Sequence, residues 1–270
     1  AQQMAVDGKI TENAQDTLQI DFSDINLRYA NIFFPKGNIR LDGIINGKTK
    51  FANLYNNPTF DSDIAIDTLF FNGEKVGNTK ISSLWNKEKE EVLLRLVSKR
   101  GKLRTLNVSG AYKPSSKSLD FDINLDKQRM AVLNPILQKS FSDFNGALSG
   151  YLNLSGTIQK PVFNGRLFSH KTSFKIDYLQ TRYYFSSNLE VNTNKINFDR
   201  VKVTDKNGNR ALVNGNLHFH SFKNIDYTFN IDARKLKSLN TDGLDNNIYY
   251  GEAFASGLVS IKGNSQTKNL

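Results

Sequence analysis

Apolar and polar residues alternate along most of this chain in short runs, separated by Gly, Asn, Asp or Pro. The segment Asp120-Phe121-Asp122-Ile123-Asn124-Leu125-Asp126 is the clearest instance. Side chains on a strand alternate between faces, so Phe121, Ile123 and Leu125 share one face and the polar residues share the other. The same alternation recurs in Asp63–Asp67, Ser173–Tyr178, Ala211–Phe219, Tyr227–Ile231 and Gly257–Gly263. It predicts an all-β fold, an elongated antiparallel sheet with one apolar face. Residues 18–34 begin in alternation and then shift phase.

Turns follow from local chemistry. Lys99-Arg100-Gly101-Lys102 separates two strand-like runs and predicts a hairpin, Lys113-Pro114-Ser115-Ser116 predicts a turn, and Asp205-Lys206-Asn207-Gly208-Asn209 carries the Asn-Gly pair of a tight hairpin. One window breaks the alternation. Met130, Leu133, Ile136 and Leu137 fall at helical spacing, with Asp126 placed as an N-cap and Pro135 inside the run. This predicts one short amphipathic helix over 127–140. It divides the chain into a more diverged N-terminal β part (1–126) and a C-terminal β part (141–270). A weak repeat is also present: Asn57-Pro58-Thr59-Phe60 and Lys160-Pro161-Val162-Phe163 each lead into a strand, as in stacked architectures.

Glycines change the picture from a flat sheet to a curved one. Gly150, Gly156, Gly165, Gly215, Gly257 and Gly263 lie in or beside strand cores, where glycine marks bulges, bends or close approach. Several bends in one sheet make it curl, and a curled sheet with an apolar concave face is a half-pipe or trough.

Candidate chemistry is sparse. The chain has 270 residues, no cysteine and a formal charge of +10, which removes disulfides, thiolate metal sites and cysteine nucleophiles. The basic residues are scattered between strands, without the clustered patch or recognition helix of a nucleic-acid binder, so no nucleic-acid partner is expected. His218 and His220 share a strand face and invite a metal, but Leu217 and Phe219 take the apolar face and no third ligand is evident; no metal is expected. Asp61/Asp63 and Asp120/Asp122 read as solvated polar faces, and Asp205–Asn209 is half of a calcium loop without its downstream Glu. With no phosphate loop, nucleophile elbow or zinc-helix motif, no catalytic residue, no cofactor and no enzymatic activity are expected. No apolar run is long enough for a membrane-spanning helix. The opening Ala1-Gln2-Gln3-Met4 and the ending Asn269-Leu270 read as those of a piece of a longer protein.

An ordered set of motifs in the second half resembles a known superfamily. Gly146, Gly150, Gly156-Thr157, Pro161, Gly165 and Leu167 match the pattern G-x-x-x-G-x-x-x-x-x-G-T followed by P-x-x-x-G-x-L. Phe174-Lys175-Ile176-Asp177-Tyr178-Leu179-Gln180-Thr181-Arg182-Tyr183 and the block Tyr249–Gly263 continue it, after Leu133-Asn134-Pro135-Ile136-Leu137. Over residues 126–263 the chain resembles the TamB and AsmA-like superfamily. The resemblance implies a periplasmic β-trough (a β-taco) of an envelope protein anchored to the inner membrane by an N-terminal segment. It also implies an assembly-type outer-membrane barrel as partner, and roles in moving phospholipid between membranes and in outer-membrane biogenesis.

Both lines of reasoning lead to one mechanism, an apolar groove that takes phospholipid acyl chains while headgroups stay in water. Each buried CH₂ contributes about 0.8 kcal/mol. The expected lining residues are Phe121, Ile123, Leu125, Leu152, Leu154, Leu167, Phe174, Ile176, Val213, Leu217, Phe219, Phe229 and Ile231. Two other functions share the same alternation: a scaffold or chaperone for outer-membrane proteins that receives client strands at its edges, and a carbohydrate-binding β-sandwich.

Overall fold

The structure, a computed structural model, describes residues 1–33, 40–134, 141–221, 224–245, 248 and 250–264. Alternation becomes strand after strand: β1 (Gln3–Gly8), β2 (Thr17–Asn26), β3 (Leu41–Ala52), β4 (Thr59–Phe71), β5 (Glu74–Asn86), β6 (Glu91–Arg100), β7 (Leu103–Lys113) and β8 (Ser118–Arg129). Then come β9 (Phe141–Gly156), β10 (Pro161–Ile176), β11 (Thr181–Asn192), β12 (Lys195–Asp205), β13 (Arg210–Ser221), β14 (Asn224–Thr241) and β15 (Gly251–Asn264). All fifteen belong to one sheet in sequence order, with β1 and β15 at its two ends, so it is not closed. The pairings are antiparallel, as short hairpin connections require. The sandwich alternative needs a second sheet, and the described strands form only one. No helix among the described residues is long and apolar enough to cross a membrane.

The chain forms two compact units, Ala1–Gln128 with Tyr151–Phe163, and Arg129–Gly150 with Asn164–Leu270. Within the first, β4 and β6 are two strands apart, which places them about 10 Å apart in a flat sheet. Their Cα atoms nevertheless approach within 8 Å. Within the second, β11 and β14 are three strands apart, about 14 Å if flat, and they also approach within 8 Å. Each unit is therefore curled.

The curl has a repeated local cause. Asp24 on β2, Thr68 on β4, Lys171 on β10, Arg200 on β12 and Lys235 on β14 all have φ between 46° and 53°. Each sits where the register with the next strand slips. A bulge inserts one residue, bends its strand and increases the twist. The amide of each bulge residue donates instead to a side chain on the following strand: Asn46 Oδ1 (2.8 Å), Asn78 Oδ1 (3.1 Å), Ser186 Oγ (2.8 Å), Asn214 Oδ1 (2.8 Å) and Ser256 Oγ (3.0 Å). These five bulges lie on even-numbered strands, which run in one direction. Each bends its own strand and adds to the curl of its unit. Glycine completes the fit where strands approach closely. At Gly47, with φ +129°, an added Cβ would lie 2.1 Å from the Asp63 carbonyl oxygen.

The helix expected over 127–140 differs from what forms. Residues 127–129 end β8, and Lys127 takes a left-handed φ of 49°, so a right-handed helix cannot start there and Asp126 is a strand residue rather than a cap. One turn of 3₁₀ helix follows at Met130–Leu133. Pro135, Ile136 and Leu137 lie outside the described residues.

The left-handed bulge at Arg200 is testable by urea unfolding. A β-branched residue is disfavoured there and glycine is not, so Arg200→Val is expected to be less stable than Arg200→Gly by about 1–2 kcal/mol. Equal stabilities would contradict the bulge geometry.

The candidate functional site is the inward apolar face

Register converts the alternation into rows that run across the strands. In the first unit one row is Phe22, Gly47, Ile64, Ile81, Leu96, Val108 and Ile123. The next is Ile25, Ile45, Ile66, Thr79, Ser98, Leu106 and Leu125. Phe121 lies in a third row with Ser83, Leu94 and Gly110. Three hydroxyls on this face are used within the protein. Thr79 and Ser98 hydrogen-bond each other at 2.7 Å, and Ser83 Oγ donates to the Phe60 carbonyl at 3.1 Å. The opposite face carries rows of charge such as Asp21, Lys48 and Asp63, which face one another across strands.

Tyr151 Oη donates to Asp122 Oδ1 at 2.6 Å, and Asn153 Nδ2 donates to the same oxygen at 3.3 Å. Tyr151 and Asn153 thus stand on the outward face with Asp122, which places Leu152 and Leu154 inward. Phe121, Ile123, Leu125, Leu152 and Leu154 all share the inward face of the first unit.

In the second unit the rows are Ile196, Leu217, Tyr227, Gly263; Phe198, Gly215, Phe229, Ile261; Val201, Val213, Ile231, Val259; and Val203, Ala211, Ala233, Gly257. Leu167 faces Leu189, Phe174 faces Tyr183, and Phe219 faces Ile225. Every expected lining residue of this unit is inward, but the residues play different parts. Tyr183, Val201, Val203, Ala211, Ala233 and Leu236 form a buried cluster, and Phe174, Ile176, Val213 and Ile231 pack against it. Leu167 is itself buried.

This cluster is tied by polar groups that alternation does not disclose. Tyr183 Oη, from β11, donates to the backbone carbonyl of Lys237 on β14 at 2.7 Å, and the Lys237 amide donates to Asp205 Oδ2 at 2.9 Å. The β14–β15 register slips on both sides of Leu236 and Lys237, freeing these backbone groups. Asp205 also accepts from the amides of Asn207 (2.8 Å) and Asn209 (3.0 Å) and from Asn209 Nδ2 (2.9 Å). The turn read as half a calcium loop thus folds onto its own carboxylate. Tyr183, Asp205 and Lys237 are 7%, 4% and 3% exposed, so these bonds lie out of water. Lys237 Nζ pairs with Glu252 and lies 5.3 Å from the Phe254 ring centroid. Burial pushes the Tyr183 phenol above its ordinary value and keeps it a donor.

His218 and His220 lie on the outward face with ring centroids 4.2 Å apart, and His220 Nε2 is 2.7 Å from Asp226 Oδ2. Among the described residues no three or more His, Cys, Asp or Glu side chains are disposed to hold a metal ion.

No protein-family model, curated protein or solved structure matches the chain.

Burial raises the Asp205 carboxyl, but the hydrogen bonds from Asn209 and from the Lys237, Asn207 and Asn209 amides outweigh it and hold the carboxyl below its ordinary value. Its stabilising contribution is therefore complete above about pH 4, the unfolded value, and is lost as pH falls through the lower folded value. Asp205→Ala is expected to cost about 1–3 kcal/mol at pH 7 by stranding buried donors. In chemical unfolding, the gap between variant and parent should shrink below about pH 4. A gap independent of pH would contradict the ionised brace.

Proposed function

We propose that this chain is the trough segment of a TamB-like envelope protein. Its inward face carries phospholipid acyl chains between the inner and outer membranes and supports outer-membrane biogenesis. The observation that carries this reading is an apolar face, ordered in rows, over which no second sheet lies among the described residues. A monomeric protein rarely leaves a large contiguous apolar surface without a use. Rows of aliphatic and aromatic side chains offer an acyl chain a path on which each CH₂ gains about 0.8 kcal/mol on burial. Such a path demands no chemical specificity, in keeping with the Thr79, Ser83 and Ser98 hydroxyls, which are hydrogen-bonded within the protein.

In this reading the segment works in the periplasm. An N-terminal segment beyond it anchors the protein to the inner membrane, and an assembly-type outer-membrane barrel receives what it delivers. Exposed Lys and Arg attract anionic headgroups, and no reaction is catalysed.

A second reading, a scaffold for outer-membrane protein assembly, draws on β15. Among the described strands it is the last in the sheet, and its Leu258 is 85% exposed. Strand addition by a client uses a sheet edge and pockets for alternate side chains.

Photo-crosslinking in cells separates the readings. Crosslinkers at Ile123, Leu217 and Phe229 should capture phospholipid, and crosslinkers on the outward face at Asn153, Lys175 and His218 should not. Equal capture from both faces would contradict a lipid path. Capture of protein at Leu258, with no lipid at the inward positions, would favour the scaffold.

A further inference from the structure

Unmet hydrogen bonds concentrate in one part of the first unit. Among the described residues, five buried side-chain nitrogen or oxygen atoms have no hydrogen-bond partner. Three of them, Arg100 Nη1, Thr105 Oγ1 and Gln128 Oε1, belong to the consecutive strands β6, β7 and β8. Thr105 is 0% exposed and Gln128 6%. Folded proteins pair nearly all buried polar atoms, so a cluster of exceptions points to a missing partner.

Register brings the three together. Ser98 stands on the inward face, so Arg100, two residues further at the end of β6, stands there too and faces Leu103. The pairing then slips: Lys99 faces Arg104 and Ser98 faces Leu106, which leaves Thr105 as the extra residue of β7. On β8, Leu125 is inward opposite Leu106, and Lys127 takes its left-handed φ of 49°. After the similar bulge at Asp24, the next residue, Ile25, returns to the inward face. Gln128 holds the same place after Lys127 and is buried. The Arg100 side chain spans β7, and its Nη2 donates to the Lys127 carbonyl at 3.2 Å, one peptide bond from Gln128. Nη1 lies on the same rigid planar fork.

Charge points the same way. Arg100 forms no ion pair with a described carboxylate. A partly buried guanidinium without a counter-charge is costly. Lys99, Lys102, Arg104 and Lys127 are exposed nearby, and Lys99 faces Arg104 directly, where like charges repel. An anion relieves both costs. Arg100 Nη1 and the Thr105 hydroxyl supply donors, whereas Gln128 Oε1 is an acceptor and needs a donor. A phosphate that keeps one proton meets all three: its charged oxygens accept from Arg100 and Thr105, and its O–H donates to Gln128.

We propose that Arg100, Thr105 and Gln128 form a binding site for a protonated phosphate group, that of a phosphomonoester or of inorganic phosphate. The site goes beyond the lipid-carrying reading and does not depend on it.

Calorimetric titration of the whole chain with sodium phosphate, in chloride buffer near neutral pH, tests the site. Saturable binding of one phosphate is expected. Sulfate, which has the same shape and no proton for Gln128, should bind more weakly by about tenfold. Arg100→Gln should weaken phosphate by about tenfold or more, whereas Arg104→Gln, which removes an exposed charge beside the site, should change it by less than about twofold. The near-isosteric Thr105→Val should melt higher than the parent without phosphate, because a stranded hydroxyl is gone, and should gain less from added phosphate. Gln128→Met, confirmed folded by its melting curve, should lose the preference for phosphate over sulfate. Dihexanoyl phosphatidic acid, used below its micelle concentration, identifies the source: tighter binding than inorganic phosphate assigns the site to a lipid headgroup, and equal or weaker binding assigns it to a soluble phosphate compound.

No saturable phosphate binding by the folded parent would overturn the site. Equal affinities for phosphate and sulfate in the parent would overturn its recognition of a proton. Equal losses in Arg100→Gln and Arg104→Gln would reduce it to diffuse surface charge and overturn it as well.

Discussion

A single-layer sheet with one apolar face cannot remove that face from water by stacking, because it has no second layer to stack on. It can only curl until its own side chains cover one another. In this protein the curl comes from capped, left-handed bulges: Asp24 and Thr68 in the first unit, and Lys171, Arg200 and Lys235 in the second. Each bulge carries a polar residue where glycine would be least strained, and an Asn or Ser on the next strand accepts its displaced amide. All five lie on strands that run in one direction, and each adds to the curl of its unit. The rows, the buried cluster and the open inward surface all follow from that arrangement.

Curling produces burial of two kinds. Where strands three apart meet, as at Tyr183 and Lys237, side chains pack into an ordinary core and polar groups must be satisfied there. On β15 the inward Val259 and Ile261 are each 41% exposed. Buried and half-exposed apolar side chains thus occur on the same face. A charge placed at Ile176 would strike the core, while one placed at Ile261 would meet water. Outward rows of opposite charge, such as Asp21, Lys48 and Asp63, keep the other face hydrated and hold strand register.

Alternation made the fold class and the inward side of each strand legible, down to Leu152 and Leu154, whose neighbours Tyr151 and Asn153 engage Asp122. The phase shift in β2 was visible too, and the structure gives its cause: Asp24 adds a residue, and the pairing jumps between Phe22 and Ile25. Two things were not legible. The start of the expected helix at residues 127–129 gave way to strand pairing through Arg129, and Met130–Leu133 form a 3₁₀ turn, since periodicity is a weak signal beside a ladder of hydrogen bonds. Tyr183 reads as one more inward aromatic, because its role depends on a strand more than fifty residues away. In the first unit, Thr79, Ser83 and Ser98 interrupt the apolar pattern of the inward face, so the rows through Ile64, Ile81 and Leu96 were harder to read than those after Phe121.

The central claim is that the uncovered inward face holds acyl chains. Native mass spectrometry of the protein, purified from cells without detergent exchange, tests it most directly. The account predicts discrete adducts at phospholipid masses that survive gel filtration and are stripped by organic extraction while the protein remains folded. A bare polypeptide mass, with folding intact and no lipid recovered on extraction, would contradict it.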